Sequence, residues 1–546
     1  MFSTAENIFL VIAIPEKMWY NEKNGKESVK IMKYNVVSPF EFTYPDVWDY
    51  ATGSTRADVF APRGGYACFQ LLLGDRKDNS VSVEVSGLPL GVAAEVYTMT
   101  PVQVERNHGI SEEECAPHYP ERKAPYWLYD CYRTFDGTLD LTGEAGGLYF
   151  ALKVGSNALP GDYRATVTVD GEDIPVDLKI YSVCLPEETL KIIMGYSSPA
   201  VVKYHGVEPG SEEYFKLEEQ YLAMLRRTHQ NMMYTGGIRS INLGDNRWDF
   251  DFSPFVAQVK RYMAAGMKYF NAPAIGFRKS WSDSAINLCG AGIEALSYEG
   301  YCYLSQYLPR FREVLIENGW LDNFVMGIAD EPNEANATAF RALCGLVRKL
   351  FPEMRLIDAM SYGVLHGALD IWVPLNAEYD KHMAEIETLR AAGDEIWHYV
   401  CCGPREKGYI NRFMDYPLLS TLYLHWGNYK YDLAGYLHWA ANCYQPGQDP
   451  FTLNCPEHHN ADAVCYLPAG DTHIIYPGKD GPWMSARLEA ERVGAEDYEL
   501  LRLLAEKDKS LADGICDRVF RSFRDVEYDV SVYTAAKREL LEALSE

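Results

Sequence analysis

The chain lacks several features that mark whole classes of protein. Its 546 residues carry 51 Lys and Arg against 77 Asp and Glu, a formal net charge of −26. With no excess of basic residues, nucleic acid is excluded as a partner, because phosphate neutralisation needs a face of Lys and Arg. An anionic membrane surface is disfavoured for the same reason. No apolar run approaches the ~18 residues that crossing a bilayer requires. The most apolar run near the start, Ile8–Ile14, ends at Pro15, with no Lys or Arg before it and no small-residue cleavage site after it. It therefore does not read as a signal peptide but as a strand or a loosely held leader.

Chemical motifs are also missing. There is no P-loop, no G-x-S-x-G, no H-E-x-x-H and no G-x-G-x-x-G. The 13 Cys are scattered and odd in number. That pattern favours reduced thiols, and with them a cytoplasmic location, over a disulfide framework. Cys455, His458, His459, Cys465 and His473 fall in one stretch, but their spacing fits no familiar zinc pattern. Neither a metal nor a cofactor is expected. There is no internal repeat and no low-complexity tract.

What is present is apolar and aromatic mass: 47% hydrophobic residues and 13% aromatics, with 39 Tyr and 11 Trp. This is enough for large cores and rules out global disorder. Flat aromatic faces also offer an apolar surface to sugar CH groups.

The rhythm of the chain divides it into an N-terminal leader (1–34), an all-β sandwich (35–187), a (β/α)8 TIM barrel (188–510) and a helical C-terminal extension (511–546). In the sandwich segment, short alternating strands such as Val81–Val85, Tyr163–Val169 and Ile174–Ile180 are separated by Gly and Pro turns. From about 190, strands alternate with helical stripes. The eight strand candidates are Lys191–Tyr196, Asn231–Tyr234, Met267–Phe270, Phe324–Ala329, Arg355–Ala359, Asp370–Pro374, Ile396–Val400 and Gly435–Trp439. No glycine-rich phosphate turn follows any of them, which argues against a doubly wound sheet.

In a barrel the active site lies at the C-terminal ends of the strands. The fourth strand ends in Asp330-Glu331-Pro332. Neighbouring side chains of a regular strand point to opposite faces, so two adjacent carboxylates share a ligand only where the strand gives way. Pro332 marks such a place and is expected to hold Glu331 extended. Crowding would raise one pKa and leave the other group ionised, the division that an acid and an anionic stabiliser need. Helix capping is the competing role for this pair. Barrel glycosidases commonly pair an acid on strand four with a carboxylate nucleophile on strand seven. Here strand seven, Ile396–Cys402, has no carboxylate at its C-terminal end; Glu395 lies at the other end, and Glu406 is a loop fallback. A substrate carrying a 2-acetamido group supplies its own nucleophile, the amide oxygen. Asp330 would then stabilise the amide while Glu331 acts as acid and base.

Several stretches resemble glycoside hydrolase family 123. They are the Asp330-Glu331-Pro332 region, Tyr399–Arg405, Asn411–Pro417, Leu424–Tyr431, Gly435–Trp439, Gly470–Gly478, and Arg487–Ala490 leading into Glu496–Leu501. Pro62–Gly65 and Phe69-Gln70 resemble its N-terminal sandwich. The resemblance implies a retaining, substrate-assisted β-N-acetylgalactosaminidase, with the catalytic Asp-Glu pair at Asp330 and Glu331. Fold and catalytic pair transfer further than the identity of the sugar.

Other candidates for contacting the sugar are Trp439 as a platform, with Asn442 and Tyr444 behind it. On strand seven, Trp397 and Tyr399 are candidates, one facing the pocket and the other the helices. Arg405, Asn376, Tyr379, Asn271 and Tyr196 complete the set, with Tyr379 aimed at the acetamide oxygen; Trp281 shapes the rim. For the aromatics, core packing is the alternative role. The expected partner is a carbohydrate, in a chain that can form a homodimer. The rival readings are a glycosidase for another sugar and a non-catalytic sugar-binding protein.

Overall fold

The computed structural model describes residues 32–108, 122–360, 365–405, 408–460 and 463–546. The Ile8–Ile14 run and Glu406 lie outside the described residues.

The N-terminal part forms two sheets. Among the described residues one has seven strands, all paired antiparallel, and the other has four, with one parallel pair. Leu71, Leu73, Leu148 and Phe150 of the larger sheet and Val59, Val167, Val176 and Leu178 of the smaller share one buried apolar cluster. Alternate residues along each strand point into it, as period-two patterning dictates. The larger sheet is not built from the N-terminal segment alone. A hairpin, Ile475–Gly478 with Gly481–Ser485, returns from far along the chain and pairs Met484 with Tyr132 and Ser485 with Cys131. A buried ion pair secures the junction: Arg487 lies 2.9 Å from Asp130, each only 1% exposed.

The rest is built on parallel strands: β1 (Lys191–Met194), β2 (Met232–Tyr234), β3 (Tyr269–Ala272), β4 (Phe324–Gly327), β5 (Arg355–Met360), β6 (Ile371–Pro374), β7 (Glu395–Ile396 and His398–Tyr399) and β8 (Gly435–His438). The ladders run β2-β3-β4-β5-β6-β7 and β1-β8-β7, so β7 belongs to both sheets. Between β1 and β2 the Asn231 side chain bridges: Nδ2 donates to the Leu190 carbonyl and Oδ1 accepts from the Ile192 amide.

Alternation gives each strand two buried faces. Ile193, Met232, Ile357, Ile371, Val373, Trp397, Tyr399 and Leu437 meet in one cluster. Their neighbours Ile192, Met233, Phe270, Met326, Leu356 and Trp372 pack into the larger core with the helices. Trp397 and Tyr399, two residues apart, thus share one face, correcting the expectation that they divide between pocket and helices. The long helix Ala486–Val519 crosses residue 510 and is followed by a short hairpin and the helix Val530–Ser545. Among the described residues no helix is long and apolar enough to cross a membrane.

Candidate active site

A cavity of about 560 Å³ opens at the C-terminal ends of the parallel strands, lined by Asp330, Glu331, Tyr399 and Trp439. That is the size range of small-molecule sites. Tyr234, Asn271, Asp358, Cys401, Cys402 and Asp471 also line it.

The carboxylate pair stands where β4 ends. Asp330 and Glu331 both have positive φ, 43° and 42°. Left-handed backbone costs a non-glycine residue roughly 1–2 kcal/mol, so two in a row mark a turn that its surroundings impose. The expected extended Glu331 is therefore corrected: tertiary contacts override the bias from Pro332. Those contacts grip the backbone. The Ile328 and Ala329 amides each donate to Asp358 Oδ2 at 3.1 Å. The Gly276 amide donates to the Ile328 carbonyl at 2.7 Å. Arg278 Nη2 donates to the Asp330 and Glu331 carbonyls at 2.6 and 3.0 Å.

Asp330 is exposed to the cavity, with protein packed around it. This crowding raises its carboxyl above the usual range, against the pull of Arg278. Glu331 is raised by burial and then by the negative charge of Asp330, while Tyr399 and Arg278 lower it. Two carboxyls standing side by side resist ionising together, so the pair titrates as a unit. Tyr399 donates its hydroxyl to Glu331 Oε1 at 2.5 Å. Glu331 Oε2 has no hydrogen-bond partner among the described residues.

Two further carboxyls line the same cavity. Asp358 is 6% exposed, and burial, followed by the charge of Asp330, pushes it up to about 8. Asp471 is fully buried and pushed up to about 6 by burial; its Oδ1 accepts the Trp439 indole N–H at 3.1 Å and so fixes that ring. Tyr234 is held well above its usual value by burial and by Asp330 and Asp358, so it stays a hydroxyl donor. Sequence reasoning missed Asp358, Asp471 and Tyr234. For Asp358 a signal existed: a lone acid inside the apolar run Leu356–Met360 near a strand's C-terminal end.

Of the residues expected at the site, the structure brings Asp330, Glu331, Tyr399, Trp439 and Asn271 to the cavity. Asn271 Oδ1 accepts the Gly327 amide at 3.0 Å. The others stand elsewhere. Trp397 is fully buried below the cavity, its indole on Glu395. Asn442 clamps the Ser197 backbone, and Tyr444 donates to the Ile475 carbonyl. Asn376 and Tyr379 form the first turn of the helix Asn376–Ala391; Asn376 donates to the Ile410 carbonyl and Tyr379 to Glu387. Arg405 bonds the Cys402 and Tyr466 carbonyls. Tyr196 packs beside Tyr221. The Trp281 ring lies beneath Arg278, 5.2 Å from it. Among the described residues no group of three or more His, Cys, Asp or Glu can hold a metal ion.

A family model described as the glycoside hydrolase 123 catalytic domain matches residues 196–504, which makes the chain a glycoside hydrolase. The chain belongs to glycoside hydrolase family 123. Its overall fold is similar to that of a family 123 glycoside hydrolase from Clostridium perfringens, whose structure details glycolipid glycan hydrolysis. The TM-score is 0.71 at 14% identity, over 94% of this chain and 98% of that one. A β-D-glucuronidase from Dictyoglomus thermophilum also matches, with a TM-score of only 0.34 at 10% identity, over 87% of this chain and 75% of that one. No curated protein matches the sequence.

Proposed function

We propose that the protein is an exo-acting β-N-acetylgalactosaminidase that works by substrate-assisted retention. In this reading its parallel strands close as a (β/α)8 barrel and its N-terminal sheets form a β-sandwich. The observation that carries it is the Asp330–Glu331 turn: two adjacent carboxyls in left-handed backbone, both facing one cavity, with different neighbours. Glu331 protonates the leaving oxygen through Oε2 while Tyr399 holds Oε1. The acetamide oxygen attacks the anomeric carbon, and an oxazolinium ring forms. Ionised Asp330 accepts the amide N–H and balances the positive charge. Water then opens the ring, with Glu331 as base.

The remaining carboxyls support a nucleophile from the substrate. Asp358 Oδ2 is committed to two amides, and burial pushes its carboxyl up to about 8. Asp471 is fully buried and bonded to Trp439. Strand β7 presents Tyr399 where a carboxylate nucleophile would stand. Trp439 supplies a flat face for the sugar ring.

A panel of nitrophenyl glycosides tests the reading. The 2-acetamido galactoside is cleaved and the plain galactoside is not. Asp330→Asn loses activity on every substrate, whereas Glu331→Gln loses most on poor leaving groups. Unimpaired turnover by Asp330→Asn overturns neighbouring-group participation, and binding without turnover of any sugar favours a non-catalytic protein.

A further inference from the structure

The backbone contacts of the catalytic turn lead to one step beyond this reading and resting on it. We propose that Asp358 and Arg278 are positioning residues that hold the turn by its backbone and thereby aim Asp330 and Glu331 into the cavity.

The β4–β5 ladder ends at the pair Gly327–Ile357. The two amides that follow β4, those of Ile328 and Ala329, bond to the Asp358 carboxyl rather than to a strand backbone. One side chain thus ends the strand and satisfies two buried donors. Beyond them the chain enters the two left-handed residues, whose carbonyls converge on a single Arg278 nitrogen. Arg278 is itself restrained, its other nitrogen donating to the Trp281 carbonyl at 2.9 Å and its guanidinium lying against the Trp281 ring. Amides are fixed from one side and carbonyls from the other, around residues whose conformation is otherwise unfavourable.

The groups facing Asp358 are Asp330 and Glu331 from the turn, Tyr234 from the end of β2, and Cys344 from the helix Ala337–Leu350 behind it. The set includes two carboxyls and no cation. Burial and the Asp330 and Glu331 charges push the Asp358 carboxyl up to about 8, towards its protonated form, while one of its oxygens accepts the two amides. An asparagine copies that arrangement, with an acceptor oxygen on the amides and a donor nitrogen in place of the hydroxyl. Leucine copies only the bulk.

The test compares Asp358→Asn, Asp358→Leu, Arg278→Lys and Arg278→Met with the wild type in two readouts. One is hydrogen exchange of the backbone across residues 328–331, which needs no substrate. The other is kcat and KM on an aryl 2-acetamido galactoside. Asp358→Asn is expected to keep kcat within about 3-fold and to keep the amides protected. Asp358→Leu is expected to lose roughly 100-fold in kcat at nearly constant KM, with fast exchange at Ile328 and Ala329. Arg278→Met should lose at least tenfold and Arg278→Lys less, since the ammonium keeps a donor for the carbonyls but loses the fork that the Trp281 carbonyl holds. Equal losses for Asn and Leu at position 358 overturn the proposal, because the ionised carboxylate would then be what matters. Unchanged exchange and kcat in Asp358→Leu overturn it as well. A wild type that cleaves no acetamido sugar refutes the sugar assignment, while the exchange measurement still decides whether the backbone is held.

Discussion

The hydrogen bond from Tyr399 to Glu331 leads to a prediction whose size follows from the structure. Tyr399→Phe removes one hydroxyl and leaves the ring in its cluster. The lost bond is 2.5 Å long and points at a carboxyl in a crowded cavity. Hydrogen bonds to charged groups contribute about 1.5–3 kcal/mol. The bond favours the ionised form of Glu331, so its loss raises the pKa, and at 1.36 kcal/mol per unit the shift is roughly 1–2 units. The alkaline limb of the pH–rate profile, where Glu331 loses the proton it must donate, therefore moves to higher pH. The carboxyl also loses the contact that fixes its orientation. If the whole energy is expressed in the transition state, kcat/KM at the optimum falls roughly 10- to 150-fold. The assay is kcat/KM against pH for wild type and variant, on a substrate whose leaving group needs the acid. A limb that stays put, or moves to lower pH, refutes the assignment of Tyr399 as the partner of an acid-base Glu331.

Two predictions concern the frame. His398 and His425 are fully buried and share Asn428 Oδ1 as acceptor, at 3.0 and 3.1 Å. Burial pushes them down to about 4 and about 3. The unfolded chain protonates them near 6.5, so stability is full above that pH and declines below it until the folded values are reached; by pH 5 the loss is about 2 kcal/mol for each. Denaturant midpoints between pH 7 and 5 measure this, and a midpoint that rises on acidification contradicts it. Arg487→Met strands Asp130 without its charge partner, a change that costs roughly 3–5 kcal/mol. Urea unfolding should show that loss, with partial recovery in the Arg487→Met, Asp130→Asn double variant; no recovery contradicts the charge argument.

Much of the site was legible in the chain, for identifiable reasons. The parallel strands announce themselves by short apolar runs between helical stripes, and Asp330-Glu331 stands out because it ends such a run. What failed to read was context. Pro332 biases Glu331 towards extended backbone, but contacts from Gly276, Asp358 and Arg278, distant in sequence, hold the turn with the opposite sign of φ. The helix at Asn376 begins after Leu375 with no side-chain cap, so nothing local showed that Tyr379 lies on a helix. Parity alone would have placed Trp397 and Tyr399 on one face; only their height along β7 separates packing from pocket. The return of the Ile475–Ser485 hairpin to the N-terminal sheet is a long-range pairing that local periodicity does not encode.

The central claim is that the sugar's own amide oxygen attacks the anomeric carbon, and a substrate series tests it directly. In aryl β-galactosaminides whose 2-acetyl group carries zero, one, two or three fluorines, the electron density on that oxygen falls stepwise while its size barely changes. The account predicts that kcat/KM falls steeply with each fluorine. Rates that do not depend on fluorination would contradict it and return the search to a nucleophile on the protein.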